Sequence, residues 1–252
     1  HDIEEKQKSV LAKYLSTHPP LSERLDAIQS VIRQKNLEQY VQSGGLFTQR
    51  WERRTRELTR IHKAYQPYDT GQKALHNGKP EQALEKAREA IDMRADQAPF
   101  YRLKGDALRE LGKPEKAEEA YRRALELDED EVDARVGLGR LSLQRDNNEE
   151  AARHFQKALE SYPGSTAARW GLGRAEFNMK NFDRAASALE HVVSAAPKAA
   201  QPHYLLAVCY ERTGRLVRAY RQYRRAVSLG LQGEKEQQAR RRLRALEPQV
   251  RK

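Results

Sequence analysis

The sequence predicts an all-α protein built mainly from five copies of one helix pair. Three observations carry that expectation. The tetrapeptide Gly-Leu-Gly-Arg occurs at 137–140 and again at 171–174, a shift of 34 residues. Small residues follow the same shift: Gly71, Gly105, Gly139, Gly173 and then Ala207; Ala83, Ala117, Ala151, Ala185 and Ala219; Ala90, Ala124, Ala158, Val192 and Ala226. A larger series, Ala87, Tyr121, Phe155, Leu189 and Tyr223, runs beside them. Self-similarity at one fixed period means a supersecondary unit that buries its apolar face only by stacking on its neighbours. A hydrophobic content of 38% against 33% charged residues suits such a thin, distributed core.

The elements follow in chain order. Residues 1–33 form a segment of their own. Its start, "HDIEEKQKSV", is polar, lacks Met and carries no signal-peptide pattern, so it reads as a cut end. Pro19-Pro20 imposes an extended turn and can open a helix. Leu25, Ile28 and Ile32 then share a face, which predicts an amphipathic helix over 21–33. Residues 34–63 read as a helical connector. Gly44-Gly45 breaks it, and "TQRWERRTRELTRIHKAY" forms a charged helix after the break. The five copies occupy 64–233, as 64–97, 98–131, 132–165, 166–199 and 200–233. "NGKPEQA", "LGKPEKA" and "KNFDRAA" supply turns between helices, Pro80 and Pro114 suit the first turn of a second helix, and Pro163 and Pro197 close two copies. Residues 234–252 are expected to form a basic capping helix and tail that solubilises the open end of the stack.

Several chemistries are disfavoured. No run of about 18 apolar residues exists, so no transmembrane helix is predicted. Cys209 is the only cysteine, which rules out an intrachain disulfide and a cysteine metal cluster; it reads as a small buried hydrophobe. His62, His76, His154, His191 and His203 lack metal-ligand spacing and read as incidental surface or groove histidines. Gly137-Leu-Gly139 and Gly171-Leu-Gly173 fall inside first helices, where they are packing glycines rather than a phosphate-cradling loop. Net charge is +11, and residues 211–252 alone carry 13 Lys/Arg against four Asp/Glu, a balance of +9. That tail is either a solvated Arg-rich helix or an attractor for nucleic acid, anionic lipid or an acidic protein.

The repeat resembles the tetratricopeptide repeat: 34 residues, two antiparallel helices, small residues where helices cross. The resemblance covers 64–233 without insertion and implies a right-handed superhelical solenoid whose concave groove is lined by first helices. The first copy lacks the usual early Trp or Leu, and Leu103 sits one place early in the second.

A second resemblance lies at the head. "STHPPLSERLDAI" looks like the closing segment of the zinc metalloprotease domain shared by HtpX-type, CAAX-prenyl-type and BepA-type peptidases, some of which continue into tetratricopeptide repeats. His18, Pro19, Pro20 and Arg24 match its motif; without the resemblance, His18 is an ordinary loop histidine. The family's catalysis needs His-Glu-x-x-His, which places two imidazoles on one zinc and a carboxylate on its water. This sequence has no such motif. The resemblance therefore implies that 1–33 is the tail of a protease domain, that no residue of this chain is catalytic, that His18 lies near the parent's active site, and that zinc belongs to the parent protein. It also implies a periplasmic or membrane-associated location in a Gram-negative envelope.

The repeat resemblance places positions two, five, nine, twelve and thirteen of each copy in the groove. The expected peptide-binding residues are Tyr68, Arg102, Arg109, Arg140, Trp170, Arg174, Phe177 and Tyr204. Rings grip apolar side chains, and guanidinium groups take carboxylates or carbonyls. Alternatively, Trp170 packs against the neighbouring copy. Four readings of function stay open: a module recruiting misfolded or assembling envelope proteins to a zinc protease, a stand-alone adaptor, an enzyme in its own right, for which the sequence offers no catalytic constellation, or a nucleic-acid binder acting through the basic tail. The last is disfavoured by the absence of a recognised nucleic-acid motif. No cofactor is expected for the chain itself.

Overall fold

A computed structural model of the chain describes Ser30 and residues 45–250; the segment carrying His18 and the helix expected over 21–33 therefore lies outside the described residues, apart from Ser30, which is helical. Among the described residues there are eleven successive helices and no strand: α1 (Gly45–His76), α2 (Pro80–Met93), α3 (Ala98–Glu110), α4 (Pro114–Leu127), α5 (Val132–Gln144), α6 (Asn148–Ser161), α7 (Thr166–Asn178), α8 (Phe182–Ala195), α9 (Ala200–Arg212), α10 (Leu216–Ser228) and α11 (Gly233–Val250). The chain divides into two units, His1–Lys113 and Pro114–Lys252. In the first, α2 packs between α1 and α3; in the second, each helix from α4 to α11 packs on the next.

The connector is not a separate helix. It begins at Gly45, and α1 then runs unbroken through the expected boundary at 63/64 to His76, with Pro67 inside it. No glycine stands between Gly45 and Gly71, and helix formers dominate the stretch, so nothing ends the helix. Pro67 removes a single backbone donor, which one continuous helix can absorb.

Each first helix ends in the same turn. In the first copy the Gly78 amide donates to Leu75 O and the Lys79 amide to Ala74 O, the double bond of a Schellman cap. The geometry recurs at Gly112, Asp146, Lys180 and Gly214, and it requires a left-handed residue: φ is 69°, 67°, 58°, 64° and 73° along the five copies. Glycine takes this conformation freely, whereas an L side chain is strained there. Asp146→Gly and Lys180→Gly should therefore each raise stability, by about 0.5–1 kcal/mol, the gain being smaller at Asp146 because Asp tolerates this region better than Lys. Denaturant midpoints of the two variants check this.

The core is laid down by one large side chain per copy. Phe155 is fully buried. Its ring lies so close to Gly139 in its own copy and Gly171 in the next that a Cβ would stand 2.7 Å and 2.2 Å from it. Tyr121 meets Gly137, and Leu189 meets Gly173, in the same way. An aromatic residue at position 24 thus goes with a small residue at position 6 of the next copy: Tyr121 with Gly137, Phe155 with Gly171, Tyr223 with Ala239; Leu189 is followed by Leu205. In the first unit the sizes invert. Position 24 is Ala87, and Leu103 comes in from position 6 to approach Gly71, where a Cβ would lie 2.9 Å from its Cδ2. The displaced leucine of the second copy is the complement of the small residue before it.

Candidate peptide-binding groove

The first helices are held in register by contacts between equivalent positions. Arg102 Nη2 donates to the Tyr68 hydroxyl at 2.6 Å, and the Tyr204 hydroxyl donates to Gln238 Oε1 at 2.6 Å; both pairs are 34 residues apart, position five on position five. The Glu211 carboxylate pairs with Arg242 on the following helix. The helix α11 therefore stands where the first helix of a sixth copy would stand. It lays Ala239 and Leu246 into the core of the last copy.

Four of the expected groove residues are committed to the fold. Tyr68 and Tyr204 retain only 8% of their exposure. Tyr68 packs with Tyr65 and Phe100, at ring separations of 5.4 and 5.3 Å, and Tyr204 lies edge-on to Tyr223 at 6.0 Å. Burial pushes the Tyr204 hydroxyl above its ordinary pKa. Arg102 is bound by Asp106 at 2.8 Å, and Arg109 by Glu110 at 2.6 Å. Tyr68 and Tyr204 reach the equivalent position 34 residues on, whereas Arg102 and Arg109 are taken by carboxylates of their own helix.

The remaining four lie at or near the surface. Arg140 and Arg174 are exposed and, among the described residues, have no hydrogen-bond or ion-pair partner. Trp170 and Phe177 are half-buried, leaning on the core of the last two copies with part of each ring open. Both accounts of Trp170 are therefore partly met. Trp170 and Arg174 are four apart on α7 and share a face.

Sequence reasoning missed the residues that extend this surface at the turn between α7 and α8. Phe182 lies edge-on to Phe177 at 5.8 Å, and the Arg212 guanidinium sits over its ring at 4.9 Å. With Val208 and Lys180 they line a pocket of about 510 Å³. Val208 and Arg212 stand at groove positions nine and thirteen of the last copy, whereas for Lys180 and Phe182 the one available signal was Phe182 itself, an apolar residue two places after a left-handed turn.

The histidine reading needs one correction. His203 is buried, with Nδ1 2.6 Å from Gln222 Oε1 and Nε2 3.2 Å from Pro197 O, so it is a structural tie. Burial also holds the half-buried His154 below its ordinary pKa. Cys209 is fully buried, and desolvation pushes its thiol up to about 12, far from the range of a nucleophile. Among the described residues no three His, Cys, Asp or Glu side chains are grouped to hold a metal, and no helix is long and apolar enough to cross a membrane.

Two family models, both described as tetratricopeptide repeat, match the chain, at 68–132 and 102–166 and at 142–201 and 179–232; together they run from 68 to 232. No curated protein matches. Among solved structures, PilF of Pseudomonas aeruginosa is similar over 76% of this chain and 92% of its own, at 20% identity and a TM-score of 0.65. MamA of Desulfovibrio magneticus RS-1 matches over 66% and 94%, at 21% identity and a TM-score of 0.56. YrrB, described as a TPR protein with an unusual peptide-binding site, matches over 72% and 97%, at 19% identity and 0.55. At such identities these likenesses speak to the fold.

Proposed function

Because the chain belongs to the tetratricopeptide-repeat family, whose arrays are protein-binding scaffolds, we propose that its repeats recruit protein partners to a zinc-dependent peptidase of the bacterial cell envelope. The observation that carries the recruiting role is the pair of unpartnered arginines, Arg140 and Arg174, beside the part-open rings of Trp170 and Phe177. Uncompensated guanidinium groups next to exposed aromatic area contribute little to folding and are typical of interface anchors. The peptide-binding site in YrrB's description is in keeping with such a role.

The link to a peptidase rests on Ser16 to Arg24 and their likeness to the closing segment of HtpX- and BepA-type proteases, followed by repeats in the order some of those proteins have. The periplasmic or membrane-associated location rests on the same likeness. Zinc ligands would come from outside residues 1–252, and no catalytic step is assigned to this chain. Misfolded or assembling envelope proteins are the partners this reading calls for.

The nucleic-acid reading has less behind it, because no recognised nucleic-acid motif accompanies the basic tail, and three of its 13 cations are ion-paired. Arg242 pairs with Glu211, Arg240 with Glu236 at 2.8 Å, and Arg215 with Asp183 at 2.7 Å. The test is proteolysis of an unfolded model substrate by the full-length protein and by a version lacking 64–233. Retained zinc and short-peptide cleavage with lost turnover of the protein substrate is expected. A full-length protein that neither binds zinc nor cleaves would overturn the peptidase link.

A further inference from the structure

We propose that the pocket between the α7–α8 turn and the end of α9 binds a carboxylate next to a large apolar side chain on a partner peptide. The proposal rests on the groove being a peptide-binding surface, and it names the chemistry one end of that groove selects. Phe177 and Val208 occupy groove positions twelve and nine of consecutive copies, and with Phe182 they make the apolar wall of a pocket of about 510 Å³. That volume takes one large side chain.

The charge at its mouth is arranged for an anion. Lys180 and Arg212 both line this pocket and the adjoining one of about 690 Å³. Lys180 and Arg212 are exposed and have no ion-pair partner among the described residues, and Arg212 stacks on the Phe182 ring. Arg184 adds a third exposed cation on the adjoining side. Two carboxylates face them. Asp183 is taken by Arg215 at 2.7 Å, which leaves only Asp146 against three cations. A guanidinium stacked on a ring keeps its N–H edge outward, free for a carboxylate, while the ring beside it takes an apolar group.

The backbone points to the same place. Three of the five copies carry glycine at the left-handed turn position, and the two that do not place Asp146 and Lys180 there, at φ of 58° and 64°. Both line this pocket. Strain retained where glycine would relieve it is a mark of function.

The carboxylate has two sources, a chain terminus or an Asp or Glu side chain, and three fluorescein-labelled octapeptides separate them. One ends in Asp-Phe as the free acid, one in Asn-Phe as the amide, and one carries Asp-Phe internally with an amidated end. Binding to the full chain is read by anisotropy. The Asn-Phe amide should bind at least about ten-fold more weakly than one or both carboxylate peptides, and Lys180→Gln/Arg212→Gln should remove that difference while the melting temperature stays near that of the parent. Preference for the free acid assigns a terminus, and equal binding of the internal peptide assigns a side chain. If the three peptides bind alike, or the double variant keeps the discrimination, the proposal fails. Loss of partner capture in Arg140→Gln/Arg174→Gln alone would then leave the groove reading standing without this pocket.

Discussion

Gly171→Ala is expected to destabilise the protein by about 1–3 kcal/mol, although the same change in an exposed helix interior stabilises by up to ~1 kcal/mol. The sign reverses because of Phe155. A Cβ on residue 171 would stand 2.2 Å from Phe155 Cζ and 2.3 Å from Cε1. A flexible side chain would turn aside, but this ring has little room: it is fully buried, and it lies against Gly139 of its own copy, so near that a Cβ there would stand 2.7 Å from it. Either the ring leaves its rotamer or α6 and α7 separate. Gly173→Ala should cost less, since its nearest neighbour is Leu189 Cγ at 2.9 Å and a leucine has more ways to yield. Phe155→Leu in the Gly171→Ala background should recover part of the loss, giving a coupling of about 1 kcal/mol or more in a double-mutant cycle. Denaturant titration followed by helical circular dichroism reads all four proteins. A Gly171→Ala protein more stable than its parent would show that the ring does not hold these helices.

That contact explains what the sequence made legible and what it hid. The 34-residue register is visible because positions 8, 20 and 27 stay small in nearly every copy, being set by helices of similar approach. Position 6 follows no such series: it is Leu103, Gly137, Gly171, Leu205 and Ala239. Where position 24 of the copy before is aromatic, position 6 is Gly or Ala, and where it is Ala87, position 6 is Leu103; Leu189 followed by Leu205 departs from this, so the regularity is partial and invisible at any single position. Leu103 therefore looks like an irregularity in a linear reading and is a complement in the folded one.

The groove was legible to the extent that side chains stay local. Position five was expected to face a ligand in every copy, yet Tyr68 and Tyr204 are spent on Arg102 and Gln238 one copy further on. Whether a side chain faces solvent depends on what stands 34 residues later, which periodicity alone does not weigh. The turn pocket escaped for a different reason. Lys180 lies in the turn after α7, Phe182 opens α8 and Arg212 ends α9, so the three meet only once α9 has packed beside that turn.

Arg140→Glu/Arg174→Glu should weaken partner capture by about ten-fold or more while leaving the melting temperature nearly unchanged, because neither arginine has a partner to lose. These two residues stand at position nine of consecutive copies, and Trp170 lies one helical turn from Arg174. Neither charge is compensated within the described chain, so an incoming anion is what would compensate them. Trp170→Ala is expected to do both things. Its half-buried ring leans on the core of the last two copies, so removal should cost about 1–3 kcal/mol, below the ~3–5 kcal/mol of a fully buried aromatic. Capture measured well below its melting temperature should still fall, since the open part of the ring is then missing. The arginine variant separates the two contributions: it carries the binding effect with no packing effect. If it captures partners as the parent does, and folded Trp170→Ala does too, then α7 contributes only to the core and the ligand surface lies elsewhere on the array.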